Sequence, residues 1–370
     1  MKEEQSKMGL TGDEVREQGQ GRGIIDLFRA TGNSQADPET LASSPDGHLI
    51  QERMGVMSME ENSLASKEYW LHYEKGLRKE VHSQVLEKWA SYVPVAAERE
   101  PHRKFPLIFC LHGAHNPIQL TESYGVMQLA AKEECVVIAP ENENLEKILS
   151  LLKFAKSHFP VDERRIYAIG YSFGGFMASR LALERPELFA GIGIGGMLFA
   201  GDVCGHELDG QLYPAYQLTQ EMMQRVEKLE IPILLFMGEY EMLNLLPLWR
   251  NPEQQVKDGV IPLASSDKQS AFNRLRQAGG CVSTTFLKEG EEADPVEMAI
   301  GARFERTEIR EYHGRKYFLG DSVKSDGTCL FRTVACEKMI HWPTTSYAPL
   351  VWEQIGKYAR DLDTGRLIRL

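Results

Sequence analysis

Between positions 105 and 237 the hydrophobic residues fall into short, nearly continuous runs. Such runs are typical of strands covered on both faces, because a half-exposed strand alternates apolar with polar residues. We predict buried strands over residues 105–111, 135–139, 165–170, 189–194 and 231–237. A further strand is predicted over residues 84–93, which are rich in Val, Trp and Tyr.

Helical patterns separate these strands. Residues 144–158 place Leu, Ile and Phe side chains three and four positions apart, which is the spacing of one face of a helix. A second helix is predicted over residues 174–184, because Pro186 stops it. Buried strands that alternate with helices predict an α/β fold, with a mostly parallel central sheet and helices on both faces.

The two ends of the chain differ from this middle part. Residues 1–65 are polar, Gly-rich and weakly periodic. We therefore expect a partly flexible N-terminal extension ahead of one domain that spans residues 66–370. Three elements are predicted in the last third: a helix over 267–278 that ends at Gly279-Gly280, a hairpin of 316–322 with 328–336, and a closing helix over 348–361.

Charge and composition narrow the range of partners. The chain has 370 residues and a formal net charge of −11, which disfavours a nucleic-acid partner because phosphate binding needs a basic surface. No apolar run approaches the roughly 20 residues that span a bilayer. The N-terminus lacks the apolar segment of a secretory signal, so we expect a cytoplasmic protein without a membrane partner. Nothing in the sequence indicates an oligomeric state.

Candidate chemistry begins with Gly170-Tyr171-Ser172-Phe173-Gly174, which matches the pattern Gly-x-Ser-x-Gly. In this pattern a serine lies on a tight strand-to-helix turn that exposes its hydroxyl, and the neighbouring backbone leaves room only for glycine on either side. A predicted strand precedes the motif and a predicted helix follows it. We therefore predict that Ser172 is a nucleophile.

A serine nucleophile that transfers acyl groups needs backbone N–H donors for the oxyanion. The Phe173 N–H, directly after the nucleophile, is the first candidate. The second donor is expected from the loop after an earlier strand, and residues 112–115 occupy that place. We assign this donor to Ala114, with Gly113 as the alternative.

The other two members of a catalytic triad should follow in the order acid, then histidine. His341, just before the closing helix, is the predicted base, and His313 is the alternative. Glu241, shortly after the strand at residues 231–237, is the predicted acid. Three other carboxylates remain alternatives for the acid: Glu239, Asp258 and Asp267.

Two other patterns are rejected as sites. Gly191, Gly193 and Gly196 match the Gly-x-Gly-x-x-Gly of dinucleotide-binding proteins, but they fall in a predicted strand that no clear helix follows. His112 and His115 are three positions apart, but no neighbouring Asp, Glu or Cys completes a metal site. We therefore predict no cofactor and no metal. The six cysteines show no zinc-ligand spacing and are expected to be reduced.

Four segments form a familiar combination: Tyr92-Val93-Pro94, Leu111-His112-Gly113, residues 161–196 and His341-Trp342-Pro343. Together they resemble the poly(3-hydroxybutyrate) depolymerase and feruloyl esterase-like group of α/β-hydrolases. The resemblance covers about residues 85–240 and resumes at His341. It implies an α/β-hydrolase fold and a serine esterase that acts through an acyl-enzyme, without metal or cofactor. By position it implies a triad of Ser172, Glu241 and His341.

The chain departs from that group at two points. Residues 238–241, Gly-Glu-Tyr-Glu, replace its usual Gly-Thr-x-Asp. The interval between Glu241 and His341 is also unusually long, which implies a long insertion before the histidine loop.

Substrate contacts are expected beside the catalytic residues. Tyr171, His115 and Trp342 adjoin those residues in the sequence, and segments 197–228 and 242–265 are candidates for a cap over the site. The expected substrate is a small or oligomeric ester. Two other functions remain open: a serine peptidase of the prolyl-oligopeptidase type, and a non-catalytic binding protein with a hydrolase-like fold.

Substitution of the two late histidines tests the assignment of the base. We expect His341→Ala to lower the rate of hydrolysis of a short p-nitrophenyl ester by at least about 10²-fold, because general-base catalysis typically contributes that much. We expect His313→Ala to keep most of the activity. Activity that survives in His341→Ala and disappears in His313→Ala would reverse the assignment.

Overall fold

A ten-stranded sheet organises the structure, which is a computed structural model. The described residues are 76–83, 85, 88–113, 118–141, 144–196, 207–208, 211–212, 219–240, 265–281, 284–288, 290–312, 315–340 and 346–370. The strands are β1 (Leu77–His82), β2 (Trp89–Pro94), β3 (Phe105–Leu111), β4 (Val136–Pro140), β5 (Val161–Tyr171), β6 (Gly191–Gly195), β7 (Ile233–Tyr240), β8 (Arg306–Tyr312), β9 (Arg315–Val323) and β10 (Cys329–Ile340). Their order across the sheet is β1-β2-β4-β3-β5-β6-β7-β10-β9-β8.

The middle of the sheet is parallel. Strands β4, β3, β5, β6, β7 and β10 pair in parallel, whereas β2 is antiparallel to both of its neighbours, and β9 and β8 add an antiparallel hairpin beyond β10. Ser172, the serine of the Gly-x-Ser-x-Gly motif, directly follows the central strand β5. This is the α/β-hydrolase fold, and the fold predicted from the sequence is confirmed.

Helices cover both faces of the sheet. They are α1 (Val126–Glu133), α2 (Leu145–His158), α3 (Phe173–Glu184), α4 (Gln220–Leu229), α5 (Ser265–Ala278), α6 (Pro295–Ile300) and α7 (Tyr347–Ile355). Side chains of β3 alternate between the two layers: Leu107 and Phe109 pack with α2 to α6, and Ile108 and Cys110 pack with α1 and α7. The apolar runs in the sequence are continuous because both faces of these strands are buried.

The exposed outer strands were not predicted. The first predicted strand, over residues 84–93, corresponds to β2, which begins only at Trp89, and residues 84, 86 and 87 lie outside the described part. Strands β1 and β8 lie at the two edges of the sheet, and most of their residues are exposed. Their sequences therefore lack the apolar run that identifies a buried strand.

The end of the chain differs from the predicted closing helix over residues 348–361. Helix α7 ends at Ile355, and residues 358–360 instead pair with Leu367–Arg369 in a small antiparallel ribbon. Gly191 and Gly193 of β6 let α7 approach closely, because a Cβ atom on either would lie within 2.6 Å of a side-chain atom of Ile355 or Val351. These glycines therefore serve helix packing.

Other predicted segments have mixed outcomes. The hairpin is confirmed as β9 and β10, with Gly327 at a φ of 82° in the turn between them. Residues 1–65 and 242–264 lie outside the described part of the chain. Of the proposed cap at 197–228, residues 220–228 belong to α4, which packs its Val226 into the layer containing α3. Within the described ranges, no helix combines the length and the apolar character needed to cross a bilayer.

A buried arginine fixes the C-terminal ribbon to the body of the fold. The Arg360 guanidinium donates to four backbone carbonyl oxygens, those of Phe189 (2.7 Å), Leu229 (2.8 Å), Glu230 (2.6 Å) and Gly365 (3.2 Å). Two of these carbonyls lie at the end of α4 and one just before β6. Burial lowers the pKa of Arg360 to about 10, so the group stays charged at neutral pH.

Replacement of Arg360 tests this anchor. Arg360→Met keeps an unbranched chain but leaves the carbonyls without their donors, and each buried unsatisfied group costs about 1–3 kcal/mol. We expect the free energy of unfolding in urea to fall by about 3 kcal/mol or more. Arg366→Met, which alters an exposed arginine of the same ribbon, should change it by less than about 0.5 kcal/mol. Equal losses in the two variants would contradict the anchoring role.

Candidate active site

Ser172 lies on a strained turn between β5 and α3. Its backbone has φ 58° and ψ −124°, a conformation that costs a non-glycine residue about 1–3 kcal/mol. Two backbone hydrogen bonds hold it: the Ser172 N–H donates to the carbonyl of Gly195 (2.9 Å), and the Phe176 N–H donates to the carbonyl of Ser172 (3.0 Å). The turn therefore has the geometry expected of a nucleophile elbow.

The two glycines of the motif are required by close backbone contacts. A Cβ atom on Gly170 would lie 2.1 Å from the carbonyl oxygen of Gly174. A Cβ atom on Gly174 would lie 2.2 Å from the carbonyl oxygen of Leu111 and 2.7 Å from that of His112. Real Cβ contacts are never this short, so the sequence prediction that packed backbone demands glycine at both positions is confirmed.

The close approach of Gly174 to the carbonyls of Leu111 and His112 brings the loop after β3 against the elbow. Leu111 ends β3, and the loop at residues 112–115 was predicted to supply an oxyanion donor. Phe173 is the first residue of α3, and the backbone N–H groups of a helix's first turn point out of its N-terminal end. The Gly113 N–H donates to the hydroxyl oxygen of Tyr124 (3.1 Å). Ala114 lies outside the described residues.

His112 is buried at the base of this loop. Its Nδ1 lies 2.6 Å from the carbonyl oxygen of Gly113, and its Nε2 lies 3.0 Å from that of Glu141. The ring thus bridges the loop after β3 and the end of β4. Burial is the largest influence and lowers the pKa of His112, although the two carbonyls act in the opposite sense.

Strands β7 and β10 directly precede the predicted acid and the predicted base in the sequence. The two strands are adjacent and parallel, and after a shift in register between Cys336 and Ile340, Ile340 is the partner of Tyr240. Adjacent strands lie about 4.8 Å apart. Glu241 and His341 are the residues that follow these two partners in the sequence. The last residues of the two strands are therefore neighbours at the carboxyl ends of the parallel strands.

Several predicted residues lie outside the described part of the chain. They are Glu241, Asp258, His115, His313, His341 and Trp342. For Glu239 and Asp267 only the backbone is described, in β7 and α5 respectively. Residue 313 follows Tyr312, the last residue of β8, in the sequence, and β9 lies between β8 and β10 in the sheet. Among the described residues, no three His, Cys, Asp or Glu side chains are grouped to hold a metal ion.

Tyr171 differs from its predicted role as a substrate contact. Its side chain is only 2% exposed and packs between the rings of Tyr124 and Tyr347. A strand residue faces the side of the sheet opposite to its neighbours, and here that side is the interior. Tyr171 is therefore a packing residue below the elbow.

Among solved structures, this chain resembles several at low sequence identity. No protein-family model matches the chain, and no curated protein matches its sequence. One similar solved structure is S-formylglutathione hydrolase from Staphylococcus aureus, at 14% identity and a TM-score of 0.36 over 44% of this chain and 77% of that one. A feruloyl esterase module from Clostridium thermocellum has 14% identity and a TM-score of 0.35 over 48% and 72%. A putative dipeptidyl aminopeptidase IV from Bacteroides ovatus has 17% identity and a TM-score of 0.37 over 55% and 31%.

The buried imidazole of His112 predicts a dependence of stability on pH. Because burial lowers its pKa in the folded state, the unfolded chain takes up the proton first as the pH falls through about 6.5. The free energy of unfolding should therefore decrease from about pH 7.5 to about pH 5. In urea titrations we expect His112→Gln to show a shallower decrease. The exposed-site variant His102→Gln should keep the wild-type slope; a shared slope for all three proteins would refute the expectation.

Proposed function

We propose that the protein is a serine hydrolase that cleaves carboxylic esters through an acyl-enzyme. Ser172 is the nucleophile, His341 the general base and Glu241 the acid that orients the imidazole. The observation that carries this proposal is the backbone of Ser172, which adopts a strained positive φ between a buried strand and a helix N-terminus. Strain of this kind persists only where the surrounding structure enforces it, and it concentrates at functional sites.

The contacts around Ser172 support acyl-transfer chemistry. The helix N-terminus of α3 and the loop after β3 approach each other at Gly174, with no side chain between them. An oxyanion next to Ser172 would be stabilised by backbone N–H groups from both segments. We assign these donors to Phe173 and Ala114. Gly113 is the weaker candidate because its N–H already donates to Tyr124.

The pairing of β7 with β10 supports the choice of base and acid. Tyr240 and Ile340 are register partners, and the next residues in the chain are Glu241 and His341. The chain order Ser, acid, His agrees with this fold's usual arrangement. Glu239 remains the alternative acid. His313 is a less favourable base because its connection lies beyond β10, farther from β7.

The proposed reaction has two steps. His341 accepts the proton of Ser172 as the hydroxyl oxygen attacks the ester carbonyl, and the two amides bind the resulting oxyanion. The alcohol leaves with a proton from His341, which forms the acyl-enzyme. Water, deprotonated by the same imidazole, then attacks the acyl carbonyl; the bond to Ser172 breaks, the serine oxygen takes the proton back from His341, and the acid is released. Neither metal nor cofactor enters these steps.

The proposal extends to the class of ester that the protein cleaves. The motif resemblance favours an ester of the kind cleaved by the depolymerase and feruloyl esterase-like group, either small or oligomeric. His115 falls within residues 112–115, which we call the oxyanion loop, and Trp342 follows His341 in the sequence, so we assign both residues to substrate contact. The segments at 197–219 and 242–265 are the candidates for a cap.

Labelling with a fluorophosphonate probe tests the nucleophile. We expect the wild type to be labelled and Ser172→Ala to be inert, with its ester hydrolysis lowered by about 10⁴-fold or more, because the covalent step is removed. Ser179→Ala is the matched control, since Ser179 lies on the same helix and its hydroxyl donates to the carbonyl of Phe176 (2.7 Å). This control should keep both labelling and hydrolysis.

A substrate panel distinguishes the proposed esterase from a serine peptidase and from a non-catalytic binding protein. The panel spans short acyl esters, feruloyl esters, polyester oligomers and aminoacyl amides, each tested with the wild type and with Ser172→Ala. Hydrolysis of esters that depends on Ser172 supports the proposal. Preference for aminoacyl amides would indicate the peptidase instead. A wild type without labelling or turnover would leave only the binding protein.

A further inference from the structure

A row of buried aromatic rings lies beneath the elbow. Tyr124, Tyr171 and Tyr347, which we call the tyrosine cluster, are at most 2% exposed. The ring centroids of Tyr124 and Tyr171 are 6.1 Å apart, and those of Tyr171 and Tyr347 are 5.8 Å apart in an edge-to-face arrangement. Phe236 of β7 continues the row, 5.0 Å from Tyr347. The row thus joins segments that are distant in the sequence.

A glycine makes room for this cluster. A Cβ atom on Gly195, at the end of β6, would lie 2.5 Å from Cδ2 of Tyr171 and 3.0 Å from Cζ of Tyr347. Gly195 is also the residue whose carbonyl accepts the N–H of Ser172. Gly195 therefore accepts a hydrogen bond from the backbone of Ser172 and, because it has no side chain, leaves space for the rings of Tyr171 and Tyr347.

Two hydroxyl groups of the cluster bind backbone atoms of the candidate site. The Tyr347 hydroxyl donates to the carbonyl oxygen of Gly170 (2.7 Å), in the first glycine of the elbow. The Tyr124 hydroxyl oxygen accepts the N–H of Gly113 (3.1 Å), in the oxyanion loop. Burial raises the pKa of Tyr347 well above its ordinary value, so this hydroxyl keeps its proton at neutral pH.

We infer that the hydroxyls of Tyr124 and Tyr347 are positioning groups that fix the oxyanion loop and the nucleophile elbow relative to each other. The role assigned to them in catalysis rests on the proposed hydrolase function. Neither tyrosine touches the reacting atoms; each acts through the backbone atom that it binds. Tyr171 packs between the rings of Tyr124 and Tyr347. In a close-packed interior neither ring can move without displacing Tyr171, so the positions of the two rings are coupled.

The cluster also links the elbow to the segment that carries the predicted base. Tyr347 is the first residue of α7 and lies shortly after His341 in the sequence. Its hydrogen bond to Gly170 therefore fixes the start of α7 relative to the elbow. A catalytic triad requires such a constraint, because misplacement of a group by about 1 Å can cost about 10²-fold in rate.

Three tyrosine-to-phenylalanine variants of the full-length protein test the inference. Tyr124→Phe and Tyr347→Phe each remove one hydroxyl and keep the packed ring. The matched control is Tyr167→Phe, because Tyr167 lies on β5, is equally buried and donates to the carbonyl of Tyr358 (2.6 Å), away from the site. Each of the three variants removes one hydroxyl group from a buried tyrosine and keeps its ring, so the control matches the cluster variants in the kind of group lost.

We expect the two cluster variants to lose kcat rather than substrate affinity. With a p-nitrophenyl ester, kcat should fall by about tenfold or more in each while KM stays within about twofold, because alignment matters most in the transition state. For Tyr124→Phe the inhibition constant of a trifluoromethyl ketone, whose adduct carries an oxyanion, should rise by a similar factor. Tyr167→Phe should leave all three quantities within about twofold.

Hydrogen exchange provides a readout that does not need turnover. The Gly113 amide should exchange faster in Tyr124→Phe than in the wild type or in Tyr167→Phe, because its acceptor is gone. Unchanged exchange at Gly113 together with wild-type kcat in both cluster variants would overturn the inference while leaving the hydrolase proposal intact. An inactive wild type would instead defeat the hydrolase proposal, and exchange at Gly113 alone would then decide whether the hydroxyl holds the loop.

Discussion

The candidate site depends on one backbone contact, between the start of α3 and the end of β3. At Gly174 the Cα atom approaches the carbonyl of Leu111 so closely that no other residue fits. This contact sets the distance between the nucleophile and the loop that is proposed to supply the second oxyanion donor. Because both partners are backbone segments, the distance does not depend on the rotamer of any side chain. Electrostatic stabilisation of a transition state needs such preorganisation, since donors that must move at the moment of reaction lose much of their effect.

The strained turn is maintained by the packing around it. Holding Ser172 at a positive φ costs about 1–3 kcal/mol, a considerable part of a typical net stability of about 5–15 kcal/mol. The cost is offset by layers that are buried on both faces of the sheet. Burial of each large apolar side chain contributes about 1.5–3 kcal/mol. Buried polar side chains add specific anchors, as with Arg360 and its carbonyl partners.

The sequence predicts those parts of the fold whose signal is local. Continuous apolar runs identified β3 to β7, and the Gly-x-Ser-x-Gly pattern identified the elbow together with the reason for both glycines. The edge strands β1 and β8 were missed because their exposed residues carry no apolar run. Tyr171 was assigned to substrate contact because it adjoins Ser172 in the sequence. Successive residues at a strand end face opposite sides of the sheet, so Tyr171 is buried although the nucleophile is not. The bonds made by Tyr124 and Tyr347 have no sequence signal, since each depends on a distant partner that only the folded chain brings near.

The long interval between Glu241 and His341 is compatible with a triad because of where its described elements lie. Strands β8 and β9 follow β7 in the chain, yet in the sheet they lie beyond β10, which leaves β10 free to pair directly with β7. The strands between β7 and β10 in the chain therefore extend the edge of the sheet and do not separate β7 from β10, the strands that precede Glu241 and His341. Loop closure over a longer segment costs little, about 0.6 kcal/mol for each doubling of length. The register of Ile340 with Tyr240 is accordingly a stronger guide to the base than the separation in sequence, which by itself would argue against it.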